Sequence, residues 1–186
     1  MAGHIRVFAF CGSLRKASFN RMAMRAAEEL APEGMRFETC DIGAFPLYNE
    51  DVRQQGFPPS VERAREKIQA ADAVLFVTPE YNYSFSGVLK NAIDWVSRPP
   101  DQPFAGKPAA IMGATPSTLG TARAQYHLRQ VCVYLNMFPV NRPEVLIAAA
   151  DKKFDADGQL TDEPTRKNIA HLMTALAEWT ERLRTK

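Results

Sequence analysis

Short apolar runs alternate with segments of helical periodicity along the whole chain. Runs rich in β-branched and aromatic residues predict five buried strands, at Ile5–Phe10, Met35–Cys40, Ala73–Thr78, Ala109–Ala114 and Val145–Ala149. Between these runs, apolar side chains recur every three or four positions. This spacing predicts five helices, one from Phe19 onward and the others at Ser60–Ala70, Ser86–Val96, Gly120–Leu135 and Glu163–Arg184.

A regular alternation of strand and helix predicts one α/β domain over residues 1–186. We expect a three-layer, doubly wound sheet of five parallel strands in the flavodoxin-like order, with other Rossmann-type orders as the alternative. In such sheets ligands bind beyond the carboxyl ends of the strands, near the point where the strand order reverses. The loops after the first, third and fourth strands are therefore expected to share one site.

The loop after the first strand, CGSLRKASFN over residues 11–20, has the composition of a phosphate site. Gly12 allows a sharp turn, after which backbone N–H groups and the positive end of a helix dipole face one point. The side chains that can complete this cradle are Ser13, Arg15, Ser18 and Asn20. The alternative is an ordinary strand-to-helix loop in which Ser18 acts only as the N-cap.

Other phosphate loops do not fit this segment. A Walker loop and the dinucleotide fingerprint both need glycines that residues 11–20 lack. Low-molecular-weight tyrosine phosphatases place an arginine six positions after their cysteine, and counting from Cys11 that position is Ala17. Arg15 comes two residues too early. We therefore interpret Cys11 as a small apolar strand residue and not as a nucleophile.

The loop after the third strand, PEYNYSFS over residues 79–86, suits a flat aromatic ring. Tyr81 and Tyr83 can offer ring faces or edges, and Asn82 with backbone amides can meet the polar edge of a heterocycle. Taken alone, the segment could equally be an ordinary turn that covers the next helix. A phosphate site beside a ring site predicts FMN. Because Glu80 would repel an anionic cofactor, we expect its carboxylate to organise the loop or bond the adjacent helix.

Composition narrows the classes of function. The chain has 186 residues, of which 46% are hydrophobic, and its longest apolar runs have strand length, so no membrane segment is predicted. No secretory signal pattern opens the sequence. Cys11, Cys40 and Cys132 are widely spaced, which predicts neither a disulfide nor a metal site and fits a reducing cytoplasm. The net charge of +2 is dispersed, so no nucleic-acid partner is expected.

Three segments together resemble one known family. GSLRKASFN, PEYNYSFSGVLKNAIDW and GTARAQYHLRQ are similar to blocks of the NAD(P)H-dependent FMN reductase family, in its quinone and chromate reductase branch. The resemblance runs from about Ile5 to the last helix and implies a flavodoxin-like fold with non-covalent FMN and with NADPH or NADH as substrate. GATPSTLG departs from the family's serine-rich turn, and Thr115 takes the matching position. The cofactor-binding positions implied are Ser13, Leu14, Arg15, Lys16, Ser18, Phe19, Asn20, Pro79, Glu80, Tyr81, Asn82, Tyr83 and Thr115.

No residue in these loops has the character of a general acid, base or nucleophile, so no catalytic side chain is assigned and the cofactor carries the expected reaction. Hydride is expected to pass from nicotinamide to flavin N5, after which a quinone, a flavin or an oxidant such as chromate takes the electrons in the same place. A flavodoxin-like electron carrier with protein partners is the alternative, and a phosphatase is a less favoured one. The sequence shows no dedicated pocket for a ribose 2′-phosphate, so the choice between NADH and NADPH stays open.

The resemblance also implies dimers or tetramers with each flavin near a subunit boundary. We expect a C2 dimer built on the helices over 86–96 and 120–135, because their apolar residues exceed what one sheet face can cover. These residues are Val88, Leu89, Ile93, Trp95, Val131, Val133 and Leu135. Arg123 and Tyr126 are expected to reach Tyr83 or Glu144 across a second contact that joins dimers into a tetramer.

Overall fold

The structure is a computed structural model that describes residues 4–184, and a parallel sheet forms its centre. The strands are β1 (Ile5–Cys11), β2 (Met35–Thr39), β3 (Ala73–Val77), β4 (Glu80–Tyr81), β5 (Ser84–Phe85), β6 (Pro108–Ala114), β7 (Phe138–Pro139) and β8 (Val145–Ile147). The central sheet has the order β2-β1-β3-β6, and β7 and β8 both pair with β6. All of its pairs are parallel. This is the flavodoxin-like order, with two short strands in the fifth position.

Helices cover both faces of the sheet. The α-helices within residues 4–184 are α1 (Phe19–Glu29), α2 (Glu50–Gln54), α3 (Pro59–Ala70), α4 (Gly87–Val96), α5 (Ala122–Tyr134) and α6 (Glu163–Arg184). α1 and α6 pack on one face, whereas α3, α4 and α5 pack on the other. The predicted three-layer α/β architecture is confirmed. In the described part of the chain, no helix has both the length and the apolar composition needed to cross a membrane.

Successive residues of the central strands fill two separate cores. Phe8, Phe10 and Phe76 face α3, α4 and α5, and the rings of Phe10 and Phe76 stack with centroids 5.3 Å apart. Val7 and Leu75 face α1 and α6. Strands that are buried on both faces appear in the sequence as continuous apolar runs, and these runs made the strands predictable.

The fifth position of the sheet differs from the sequence prediction. The strand predicted over 145–149 ends at Ile147, and β7 adds a second segment beside β6. Phe138 N donates to Lys107 O at 2.9 Å and Val140 N donates to Ala109 O at 2.8 Å, so Pro139 occupies the position whose missing N–H faces away from β6. Because proline is unfavourable within a strand, the sequence pattern did not predict β7.

The start of α5 is also corrected. The helix was predicted from Gly120, but Gly120 has a φ of 63° and α5 begins at Ala122. A Cβ on Gly120 would lie 2.9 Å from Leu146 Cβ, so this position needs glycine both for its backbone conformation and for its contact with β8.

Most of the apolar residues predicted to form a subunit contact lie inside the subunit instead. Four of the seven are at most 1% exposed, because α4 and α5 use them to cover the sheet. Val133 is 82% exposed. The prediction was therefore wrong for the four buried residues, which are Leu89, Ile93, Trp95 and Leu135.

Candidate active site

Three loops meet at the carboxyl ends of adjacent strands. Residues 12–18 follow β1, residues 78–86 follow β3, and residues 115–121 follow β6. Because these strands are neighbours in the sheet, the loops lie side by side at one edge. The structure thus brings together the three segments that the sequence analysis assigned to one site.

Close packing of the backbone explains the glycines between these loops. Gly12 does not have a positive φ, but a Cβ there would lie 3.0 Å from Thr78 Oγ1 and 3.1 Å from Ser86 Oγ. A Cβ on Gly113 would lie only 2.1 Å from Thr78 O. The two glycines therefore let β1, β3 and β6 approach at the site, a reason different from the sharp turn expected at Gly12.

The loop after β1, hereafter the phosphate loop (residues 12–18), offers unpaired donors. The N–H groups of residues 14–17 have no acceptor among residues 4–184. They precede α1, whose dipole adds positive potential, and Arg15 and Lys16 in the same stretch are exposed cations. Free N–H groups at a helix N-terminus form an anion site, so the loop fits a phosphate.

Ser18 is the N-cap of α1, as the alternative interpretation stated. Its Oγ accepts hydrogen bonds from Asn20 N at 3.2 Å and from Arg21 N at 3.4 Å. The hydroxyl accepts in both bonds, so its own proton can still be donated to an anion. The cap and the phosphate contact are therefore compatible, and the phosphate contact stays a prediction. Ser13 is 4% exposed at the base of the same loop.

The first two residues of α1 fasten the phosphate loop. Asn20 is 3% exposed, and its side-chain amide donates to Ala114 O and accepts from Ala114 N, both at 2.9 Å. The ring of Phe19 stacks on Phe154 with centroids 5.8 Å apart. Asn20 thus ties the phosphate loop to the end of β6, a role that the sequence analysis missed.

The loop that follows β3, residues 78–86, forms a small hairpin. Glu80 pairs with Phe85 and Tyr81 pairs with Ser84, while Asn82 and Tyr83 have φ values of 50° and 69°. Two consecutive positive φ angles are typical of a type I′ turn, and a tyrosine in this conformation is uncommon. The hairpin presents Tyr81 and Tyr83, which are 50% and 66% exposed, and the N–H groups of Asn82 and Tyr83 have no acceptor in the described part of the chain. Pro79 is buried at its base.

Glu80 joins the hairpin to α5. Its Oε1 accepts from Arg123 Nε at 2.6 Å and its Oε2 accepts from Ala124 N at 3.1 Å, with the Glu80 side chain only 7% exposed. The carboxylate satisfies an N–H in the first turn of α5, which has no side-chain cap of its own. The expectation that Glu80 bonds the adjacent helix is confirmed, and its charge is neutralised before any ligand arrives.

Arg123 also holds the tip of the hairpin. Its guanidinium carbon lies 3.7 Å from the centroid of the Tyr83 ring, a cation–π contact. The contact between Arg123 and Tyr83 that was expected across subunits is thus present within one chain. Arg123 belongs to the site because it contacts Glu80 and Tyr83. In the sequence, only its spacing within the segment GTARAQYHLRQ indicated such a role.

Thr115 organises the third loop. Its N–H donates to Ile147 O at 3.0 Å, and its Oγ1 accepts from Ser117 N at 3.3 Å. Its carbonyl accepts from Ala150 N at 3.1 Å. These bonds fix the loop against the end of β8, and the predicted contact of Thr115 with a cofactor stays a prediction.

Cys11 is the last residue of β1 and is 7% exposed. Its Sγ lies 3.7 Å from Ser13 O, and burial raises the pKa of the thiol. A thiol with a raised pKa is protonated at neutral pH and is a poor nucleophile. The interpretation of Cys11 as a strand residue is confirmed.

Comparison with known proteins identifies the family of this chain. The profile of the family described as NADPH-dependent FMN reductase matches residues 5–152. The chain is 58% identical over 184 residues to an NAD(P)H-dependent FMN reductase of Pseudomonas aeruginosa, covering 99% of this chain and 100% of that protein. It is 44% identical over 187 residues to a quinone reductase of Escherichia coli K12, again covering 99% and 100%.

A solved structure leads to the same conclusion. The flavoenzyme NAD(P)H:(acceptor) oxidoreductase of Paracoccus denitrificans superposes with a TM-score of 0.86 at 38% identity, covering 97% of this chain and 98% of that one. The chain therefore belongs to the NADPH-dependent FMN reductase family.

Proposed function

We propose that this protein is an FMN-dependent oxidoreductase that takes two electrons from NAD(P)H and delivers them to quinones. The observation that carries the proposal is the unpaired N–H groups of residues 14–17, which lie at the same sheet edge as the exposed tyrosine hairpin. Family membership and the quinone reductase relative of Escherichia coli support both the cofactor and the class of acceptor.

The residues divide into two binding functions. The phosphate loop holds the phosphate through its N–H groups, the cations of Arg15 and Lys16, and the hydroxyl proton of Ser18. The hairpin holds the flavin ring through the N–H groups of Asn82 and Tyr83 and through the exposed rings of Tyr81 and Tyr83. Bound FMN supplies hydride acceptance and release at N5. Glu80 and Arg123 keep the hairpin in place, so the ring-binding groups are positioned before the cofactor arrives.

We further propose that the nicotinamide and the acceptor use one stacking place in turn. The carboxyl edge of the sheet carries two exposed tyrosines and no dedicated acid or base. Such a site selects molecules by their flat shape or their negative charge, and not by a specific proton transfer. This supports quinones, flavins and chromate as acceptors in a ping-pong sequence.

The three cysteines are free thiols, which supports a cytoplasmic location. The two cores on one sheet support a single domain over residues 1–186.

We also propose a homodimer, and a tetramer formed from two dimers. α5 exposes Val133 and Tyr134 at 82% and 77%, next to a groove of about 620 Å³ that includes Phe85 and Val131. Contiguous exposed apolar surface of this kind marks an interface. Tyr126, which is 54% exposed on the same helix, and Glu144 are the candidates for the contact between dimers. Light scattering tests the proposal, since an active 20.8 kDa monomer would overturn the shared interface.

The function is tested in two steps. The purified protein should be yellow, bleach under NADPH without oxygen and regain its colour when a quinone is added. If the bound flavin resists NADPH and exchanges electrons only with a protein partner, the electron-carrier alternative replaces the reductase.

The phosphate assignment has its own test. Charge-assisted bonds are worth about 1.5–3 kcal/mol, so Arg15→Ala should weaken FMN binding about 10- to 100-fold in a fluorescence titration. Arg25→Ala is the matched control, because Arg25 lies on α1 outside the loop. Unchanged affinity in an Arg15→Ala/Ser18→Ala variant would show that FMN phosphate binds elsewhere.

A further inference from the structure

A second recess opens on the other side of the phosphate loop. It lies at the carboxyl ends of β1 and β2 and has a volume of about 560 Å³. β1, the phosphate loop, α1, the end of β2 and the turn that follows supply its walls, whereas the tyrosine hairpin does not reach it. Sites for small ligands commonly have this size and lie at the carboxyl edge of such a sheet.

Two opposite charges line the recess without pairing. Asp41 Oδ1 accepts from Gly43 N at 3.0 Å, and Oδ2 has no protein partner within residues 4–184. Arg21, in the first turn of α1, forms no ion pair with any described residue. Both side chains are exposed at the recess. An unpaired carboxylate suits hydroxyl donors of a ligand, and an unpaired guanidinium suits a phosphate.

The remaining walls are apolar or neutral. Leu14, Met24 and Ile42 contribute hydrocarbon surface, against which a flat base can pack. Cys11 and Cys40 also line the recess, and burial raises the pKa of Cys40 to about 11. Both thiols are therefore neutral at pH 7 and do not repel an anion. A base, a ribose and a phosphate thus find complementary surfaces in one cavity.

We propose that this recess binds the adenosine 2′-phosphate half of NADPH. Arg21 binds the 2′-phosphate, Asp41 accepts from the ribose 3′-hydroxyl, and Leu14 with Met24 packs on the adenine. In doubly wound folds that bind dinucleotides, an acid about 20 residues beyond the first turn bonds the ribose 2′-hydroxyl of NAD, whereas a nearby arginine accommodates the 2′-phosphate of NADP, which is the role given to Arg21. The inference rests on the proposed function, in which NAD(P)H is the electron donor.

The distance to the ring site fits a dinucleotide. β2 lies two strand positions from β3 and three from β6. At about 4.8 Å per strand, β2 is about 10 Å from β3, which precedes the hairpin, and about 14 Å from β6, measured across the sheet. Two nucleotides joined by a pyrophosphate span this separation, so one NADPH can occupy both places.

Calorimetry on the FMN-loaded protein tests the site directly. We expect wild type to bind 2′,5′-ADP about 10-fold more tightly than 5′-AMP, and Arg21→Gln to abolish that difference. Arg21→Lys should restore part of the preference, whereas Asp41→Asn should weaken both nucleotides. Arg25→Gln is the control, since Arg25 lies one turn further along α1 and outside the recess.

Steady-state kinetics separates this inference from the proposed function. Arg21→Gln should raise KM for NADPH about 10-fold and leave kcat and the KM for NADH within about 2-fold. No binding of 2′,5′-ADP to wild type, or equal binding to Arg21→Gln, overturns the recess assignment even if NADPH reduces the flavin. Failure of saturating NADPH to reduce the flavin of wild type overturns the proposed function itself.

Discussion

Replacing Asn20 with alanine tests the contact that joins the phosphate loop to the sheet. The amide is 3% exposed and makes both of its 2.9 Å bonds to Ala114, a residue 94 positions away and itself 2% exposed. Alanine at position 20 would leave the N–H and the C=O of Ala114 buried without partners. Asn20→Asp should be at least as damaging, because it points a carboxylate oxygen at the Ala114 carbonyl.

The expected loss follows from the two unsatisfied groups. Each costs about 1–3 kcal/mol, so Asn20→Ala should lower the free energy of unfolding by about 2–6 kcal/mol. Single domains unfold with a total of about 5–15 kcal/mol, so the loss is a large fraction. With a urea slope of about 2–3 kcal/mol/M, the midpoint should fall by about 1–3 M.

Urea unfolding of the flavin-free protein, followed by circular dichroism, measures this loss. FMN must be removed because a ligand that binds only the folded state would raise the midpoint of each variant by a different amount. Gln130→Ala is the matched control, since Gln130 is an exposed amide on α5. A midpoint for Asn20→Ala equal to that of the control would refute the role given to Asn20.

Three further predictions concern mechanism and pH. Double-reciprocal plots at several fixed quinone concentrations should be parallel, and intersecting lines would mean that both substrates bind together. Cys11→Ser should keep turnover within a few-fold, since the raised pKa of Cys11 leaves no thiolate to take part; loss of activity in a folded, flavin-loaded variant would restore a cysteine mechanism. The Thr165 hydroxyl lowers the pKa of Asp162, so the stability that Asp162 contributes is present at neutral pH and is lost as pH falls through its lowered pKa. The midpoint difference between wild type and Asp162→Asn should therefore shrink in acid, and a difference that widens there would contradict this sign.

The sequence predicted what depends on local pattern. β1 and β3 are buried on both faces and were visible as apolar runs, and Ser18 was recognisable as a cap because capping needs only its own helix. The hairpin residues were singled out by their composition. The strand order followed from the alternation of strand and helix, because right-handed crossovers leave few arrangements.

The sequence did not show contacts between distant loops. Glu80 and Arg123 are 43 positions apart, and only the folded chain shows that the carboxylate bonds α5. The same holds for Asn20, whose residue type suits a phosphate contact as well as a backbone bridge. The recess at Asp41 was missed for a related reason. In the sequence Arg21 has the character of an ordinary surface residue of α1, and only the pairing of β2 with β1 shows that it lines the same recess as Asp41.

The strand order determines how the phosphate loop can serve two ligand halves. β1 lies between β2 and β3, so the loop that follows it faces the tyrosine hairpin on one side and the Asp41 recess on the other. On the proposed assignment its N–H groups bind the flavin phosphate, while Leu14 covers the adenine side. Leu14 is 55% exposed yet lies against Gly43, where a Cβ would be 2.9 Å from Leu14 Cδ2. The N–H of Leu14 can bind a phosphate but its apolar side chain cannot, and that side chain is accounted for once the loop also forms the wall of a second site.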